Sequence, residues 1–326
     1  MVLENQWREL VVLVLLLVVT PSASGEDVFS IPAGERIVIG TWNLKWLFDE
    51  NKNDNASDLA KEMSAASRAV YEARVRRMAV VIAGIHPTVM ALQEVENKKV
   101  ARDLADALRV HHQLNYKVGF VQGTDSYTEQ DVAFLVEERV GDFVVGRINP
   151  RLEKLDDRDR YKIPSKHAVL LLTTKVGEEL GTLTVITAHL KAGDDERDEA
   201  QRILQSRALN AYAARLVRDR HEVIMLGDFN AGQPYRNTSR RDGMGVLVGM
   251  ETEDESDDFA DLDRALPVNW RQTHSGGGQL DRIVVSGDLL DREGLVLERI
   301  FNHRNQMPRG LSDHSPLTVR FRARPR

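Results

Sequence analysis

The chain has 326 residues, no cysteine and a formal net charge of −6. Hydrophobic residues at 42% and charged residues at 29% describe an ordinary folded core and surface, which excludes a disordered, collagen-like or disulfide-stapled chain. Without thiols there is no cysteine nucleophile, zinc ribbon or iron–sulfur cluster, so a metal site must use Asp, Glu, Asn or His and favours a hard ion.

The acidic balance argues against a protein that coats nucleic acid through bulk charge, though not against a local basic groove. Length alone admits two domains or one large α/β domain. Leu10–Val19 is ten uninterrupted apolar residues, too short to span a bilayer at roughly 20 but right for a signal core. Ser22 and Ser24 place small residues before a cut at Gly25. Residues 1–24 therefore read as a signal peptide of an exported protein, secreted or periplasmic, with an uncleaved anchor as the alternative. The remainder stays acidic and carries no integral membrane span.

From there strands and helices alternate. The β-branched run at 36–41 reads as a buried strand. Tyr71, Val75, Met78, Ile82 and Ile85 recur at helical spacing, and Gly84 and Pro87 mark that helix's end. Residues 89–93 form the next strand and 98–110 a helix. Segments 116–121 with 132–136, and 167–173 with 182–188, read as strand pairs. A long helix spans 195–216, with Ala200, Ile203, Leu204, Ala208 and Ala211 expected inward. Later strands fall at 223–226, 282–286 and 317–321. Residues 51–67 and 233–263 look irregular.

Polar residues recur at strand ends, where catalytic groups on open α/β scaffolds project. Asn43 follows the first strand in Thr-Trp-Asn-Leu, and Glu94 the second in Leu-Gln-Glu-Val. His189 stands in Ala-His-Leu, and Asp228 and Asn230 in Gly-Asp-Phe-Asn. Asp281 opens a strand in Leu-Asp-Arg-Ile, and Asp313 and His314 sit in Ser-Asp-His-Ser-Pro. Singly, each is commonly a cap, a turn or a surface pair. Six such places in one order along one chain point to a site. The residue types suit phosphodiester hydrolysis: a carboxylate for a hard cation, a histidine for proton transfer, a second carboxylate to orient it, and an amide to donate to phosphoryl oxygens.

The ordered set resembles the endonuclease/exonuclease/phosphatase superfamily over roughly residues 36–321. The resemblance implies an α/β four-layer sandwich, two mixed sheets face to face with helices outside. It also implies one domain over 25–326, because the motifs draw on both ends of the chain. It implies Glu94 as principal ligand of Mg²⁺ (Mn²⁺ or Ca²⁺ as alternatives), Asn43 beside the ion, and Asp313 acting through water. His314 would be a general base or phosphate-binding histidine oriented by Asp281, and Asp228 and Asn230 would contact the phosphate and the attacking water. His189 resembles the second histidine of the DNase I and sphingomyelinase branches. Which histidine acts as base and which as acid stays open.

The substrate expected is nucleic acid, DNA and also RNA, cut without sequence preference, and no stable protein partner is implied. Arg236, Arg240, Arg241 and Lys166 are candidate phosphate contacts, although Lys166-His167 stands where relatives often have Arg-Pro. Further arginines, Arg74, Arg76 and Arg77 on a helix and Arg304 and Arg309 before Ser-Asp-His, border the cleft or form a solvated face. The acidic stretch 251–258 reads as a solvated loop. A sphingomyelinase-like phospholipase C, a phosphatase of soluble esters and a catalytically inactive interaction module on the same fold are the alternatives.

Overall fold

The structure, a computed structural model, describes residues 28–231 and 242–324. The expected signal segment and Arg236, Arg240 and Arg241 lie outside the described residues. The strands are β1 (Phe29–Ile31), β2 (Arg36–Leu47), β3 (Val89–Val95), β4 (Tyr116–Phe120), β5 (Asp131–Glu137), β6 (Val144–Gly146), β7 (Lys166–Val176), β8 (Glu179–His189), β9 (His221–Asp228), β10 (Phe259–Asp261), β11 (Asp281–Ser286), β12 (Leu295–Asn302) and β13 (Leu317–Ala323). The helices are α1 (Asp58–Met63), α2 (Arg68–Ile85), α3 (Lys98–His112), α4 (Glu196–Arg218), α5 (Gly243–Leu247) and α6 (Gly287–Asp291).

Strands order as β1-β7-β8-β9-β11-β10 in one sheet, with β6 on β7, and as β12-β13-β2-β3-β5-β4 in the other. Both sheets are mixed: β8 runs parallel to β9 and β2 parallel to β3, while the other internal pairs in each are mainly antiparallel. Alternation along each strand sends one set of side chains inward and the other outward. Ile37, Ile39, Phe134, Leu170, Val185, Ile283, Val319 and Phe321 therefore share the core between the sheets. Trp42, Met90, Leu92 and Leu135 face outward beneath α2 and α3. Ile186, Val223, Met225 and Val284 face outward beneath α4 and α5. Three apolar seams make four layers, helix, sheet, sheet, helix, as expected. Each fully buried Ile, Leu or Phe contributes ~1.5–3 kcal/mol of transfer free energy to these seams.

Two local expectations change. The helix at 195–216 is present as α4, but Ala200 is exposed and Ile203, Leu204 and Ala211 are only half-buried. Its buried face mixes Ala208, Leu209, Ala213, Ala214 and Leu216 with the polar Arg202, Gln205, Ser206 and Asn210. Arg202 donates to the carbonyls of Lys191 and Gly193, Gln205 accepts from the Lys191 amide at 2.9 Å, and Asn210 donates to the carbonyls of Leu247 and Asp257. The helix thereby satisfies the backbone of the loops on either side, which an apolar face could not do. Segment 51–67, expected to be irregular, holds α1, capped by Ser57 accepting from the Ala60 amide. Among the described residues no helix is long and apolar enough to cross a membrane.

Candidate active site

The parallel pairs β2–β3 and β8–β9 end at the same edge of the sandwich, and the polar motifs meet there. The edge is braced by a buried polar link between the sheets. Thr41 on β2 donates to Gln93 on β3 at 3.0 Å, and Gln93 donates to Thr187 on β8 at 3.0 Å. All three are fully buried, so the link is satisfied without water.

Asn43 lies inside β2, which runs past the expected end because the chain kinks rather than stops. Lys45 and Trp46 both take φ near +52°, and the β2–β3 register shifts there. Opposite them Glu94 sits in a bulge of β3 with φ of +59°. A bulge re-aims one side chain out of the strand's alternation. Left-handed backbone in non-glycine residues is costly and collects at functional sites. The result is a tight cluster. Asn43 Nδ2 donates to Glu94 Oε1 at 2.9 Å and to Asp228 Oδ2 at 2.8 Å, and the Trp46 amide donates to Glu94 Oε2 at 2.9 Å.

From the other sheet, His189 ends β8 and Asp228 ends β9, paired in register. His189 Nε2 lies 3.7 Å from Asp228 Oδ2 and 4.0 Å from Glu94 Oε1. Burial, and then the charges of Lys166 and His314, hold the His189 imidazole well below its ordinary value, so it is neutral. Burial pushes the Asp228 carboxyl up to about 6, the charges of Asp281 and Glu94 adding to burial while His314 and Asn43 oppose it.

His314 closes the cluster. Its Nδ1 donates to Asp281 Oδ2 at 2.7 Å and its Nε2 lies 3.7 Å from Asp228 Oδ2. Burial works against the imidazolium, but the charge of Asp281 and its hydrogen bond, with Asp228 and Asp313 nearby, raise the group to about 10. Its backbone is pinned by Trp42 Nε1 donating to the His314 carbonyl at 3.1 Å. The Thr273 hydroxyl accepts from the Asp281 amide at 3.0 Å and so fixes the start of β11.

The structure thus brings Asn43, Glu94, His189, Asp228, Asp281 and His314 together. Asp313 stands at the rim, where Lys45 Nζ is 2.8 Å from its carboxylate. Burial alone would raise the Asp313 carboxyl, yet Lys45 and His314 bring it below its ordinary value. Asn230 is adjacent, with φ of +48°, but its amide donates to the Leu190 carbonyl at 3.1 Å rather than into the cluster. Lys166 pairs in register with His189, and its ammonium is turned to Gln130 at 3.1 Å and Asp125 at 3.4 Å.

Two contributors, His274 and Lys45, carry no strand-end motif and were not expected, and a third, Arg74, was read only as bordering the cleft or lying on a solvated face. His274, in a Gly-rich loop, has its ring 4.8 Å from the His314 ring and its Nε2 3.9 Å from Asp313. Lys45 pairs with Asp313. Arg74, on α2, is a clamp rather than a solvated charge: it donates to the carbonyls of Leu44 and Trp46 at 2.8 Å and also to that of Lys45. Its spacing from the apolar stripe of α2 was the available signal.

The donors fit a hard divalent cation. Two carboxylates, Glu94 and Asp228, face one another across a single amide, with a third, Asp281, behind His314, and Glu94, His189 and Asp228 offer ligand atoms within 4.8 Å of one another. Oxygen-rich, thiol-free donors with surplus negative charge are what Mg²⁺ or Mn²⁺ prefers.

No curated protein matches the sequence. Among solved structures the fold is similar to a humanized TDP2 from D. rerio, at 15% identity and TM-score 0.55, covering 88% of this chain and 99% of that one. It is similar to the catalytic domain of human Nocturnin, at 15% identity and TM-score 0.54, covering 88% and 93%. A protein described as endonuclease/exonuclease/phosphatase from Beutenbergia cavernae matches at 16% identity and TM-score 0.52, covering 89% and 72%. The profile of the Endonuclease/Exonuclease/phosphatase family matches residues 40–314, an interval that holds every member of the cluster, and the chain belongs to that family.

Proposed function

We propose that the protein is an exported, divalent-metal-dependent phosphodiester hydrolase acting on nucleic acid. The observation that carries this reading is the meeting of Asn43, Glu94, His189, Asp228, Asp281 and His314 at one edge of the sandwich. When bound by Glu94 with Asn43 beside it, the cation supplies charge neutralisation and polarises a phosphoryl oxygen.

The chain's own residues supply the rest. Asp281 holds His314 as an imidazolium in one orientation, with Nε2–H turned to the cluster. That group donates to a phosphoryl oxygen as charge develops on it, the role of a preorganised donor. His189, held neutral, faces the cluster from the opposite side, with Nε2 3.7 Å from Asp228 and 4.0 Å from Glu94. Asp228, with its carboxyl near 6, is ionised at neutral pH and accepts the proton of the attacking water. Asp228 takes that role in preference to His314, whose imidazole already carries both protons. Burial of the cluster keeps solvent from screening these charges.

The test incubates the protein with plasmid DNA, RNA, sphingomyelin and an inositol polyphosphate, with Mg²⁺ or with chelator. Metal-dependent cleavage of DNA or RNA is expected, and Glu94→Gln and His314→Ala should each lose at least ~10²-fold in kcat/KM. Absence of metal-dependent hydrolysis of all four substrates would sink the hydrolase reading. Cleavage of the lipid with intact DNA would replace nuclease by phospholipase C.

A further inference from the structure

The end of the chain carries arginine at every second position, Arg320, Arg322 and Arg324, and the spacing continues in the sequence to Arg326. On β13 that period puts Arg320 and Arg322 on one face, while Val319, Phe321 and Ala323 point into the core between the sheets. The face is outward. It is not roofed like its neighbours: the apolar seam under α2 and α3 takes side chains from β2, β3 and β5 and, among the described residues, none from β12 or β13.

Adjacent strands extend the row. Arg36 on β2 stands opposite Arg322, and Arg299 on β12 opposite Arg320. Like charges directly opposite on one sheet face are destabilising, so this arrangement costs folding stability. One acid offsets it. Glu298 lies 3.2 Å from Arg36 and 2.8 Å from Arg320, and also binds Arg322. Arg299 and Arg320 stack on Phe301, with guanidinium carbons 4.3 and 5.4 Å from the ring centre. The stack and Glu298 hold the side chains in place, yet Arg36 and Arg322 keep 52% and 39% of their side chains exposed, and Arg299 and Arg324 are exposed as well. Charge on an edge strand guards against aggregation, but β13 and β2 are interior strands, where that explanation does not apply.

We propose that this arginine face binds the phosphodiester backbone of a nucleic acid away from the hydrolytic site, an inference that rests on the nuclease reading. Guanidinium forks match phosphate oxygens, and the pleat spaces them about 6.8 Å along the strand and about 4.8 Å between strands. Nothing on the face reaches a base edge in a defined way, so the contact is independent of sequence. Arg320 lies about 20 Å along extended chain from His314. At about 3.4 Å of rise per nucleotide, substrates shorter than about six nucleotides cannot engage both places.

The experiment compares wild type with R299Q/R322Q/R324Q, which leaves Arg36 and Arg320 on Glu298, and with each single variant in case the triple folds poorly. Hydrolysis of bis(p-nitrophenyl) phosphate should be unchanged within about twofold. Binding of a 30-base-pair duplex in chelator should weaken, and the slope of log affinity against log salt should fall by about 0.9 for each arginine that contacts a phosphate. An unchanged slope with intact ester hydrolysis overturns the face and leaves the nuclease reading standing. Wild type inert on both the ester and nucleic acid sinks that reading instead, and the duplex-binding comparison still decides the face. Loss of binding to phosphatidylserine vesicles with duplex binding intact reassigns the face to a membrane and overturns the proposal.

Discussion

His314 shows how neighbours decide the state of one side chain. Buried alone, its imidazole would be neutral, as His189 is. Asp281 at 2.7 Å reverses this and raises the group to about 10. The sign of the linkage follows. A base whose value rises on folding stabilises the fold fully below its unfolded value of about 6.5, and that contribution is lost as pH climbs through about 10. Thermal melts in chelator should therefore show wild type above His314→Asn at pH 6 to 7, with the gap closing toward pH 10. A gap that is constant with pH would show that Asp281 does not hold a charged His314. At this scale the sequence was informative, since Asp281 before a strand and His314 before another could be paired by resemblance. The neutrality of His189 was not legible, because it depends on burial that no local pattern records. His274 was hidden for a related reason: it belongs to a loop that long-range backbone bonds bring to the cluster, the Ser275 amide donating to the Asp313 carbonyl at 2.7 Å and the Ser315 amide to the Thr273 carbonyl at 2.8 Å.

Elements position these groups through a few backbone constraints. Gly227 takes φ of +146°, and a Cβ there would lie 2.1 Å from the Ala188 carbonyl oxygen, between the residues that carry His189 and Asp228. Gly227→Ala should cost at least ~1–3 kcal/mol, read as a lower urea midpoint, because strain and a backbone clash coincide. A midpoint equal to wild type would mean the β8–β9 ends relax freely. Arg74 does the same for β2 by gathering the carbonyls of the kink at Lys45 and Trp46. Arg74→Gln should weaken Mg²⁺ activation about 10–100-fold while leaving the helix intact by circular dichroism, the effect of losing support behind a ligand. The strand pairs at 116–121 with 132–136 and 167–173 with 182–188, and the helix from Tyr71 to Ile85, were readable in the sequence, since apolar spacing reports which face is buried. The kink in β2 and the polar residues on the buried face of α4 were not, because backbone carbonyls elsewhere in the chain create the demand that Arg74, Arg202 and Asn210 meet.

The whole molecule places the surplus negative charge of Glu94, Asp228 and Asp281 in one buried spot, and a cation that binds only the folded state must stabilise it. Adding Mg²⁺ at 100 times its dissociation constant should raise stability by about 2.7 kcal/mol, visible as a higher melting temperature that chelator reverses. No shift in wild type, or an equal shift in Glu94→Gln, would place the ion elsewhere. The motifs at both ends of the chain imply one domain, and among the described residues side chains of both sheets share the core between them. The link from Thr41 through Gln93 to Thr187 has a further consequence. Asn43 and Glu94 ride on one sheet, and His189, Asp228 and Asp281 on the other. Either sheet alone holds half of the cluster, so the site is assembled only by the long-range docking of one sheet on the other, and no partly folded chain with a single sheet formed carries it.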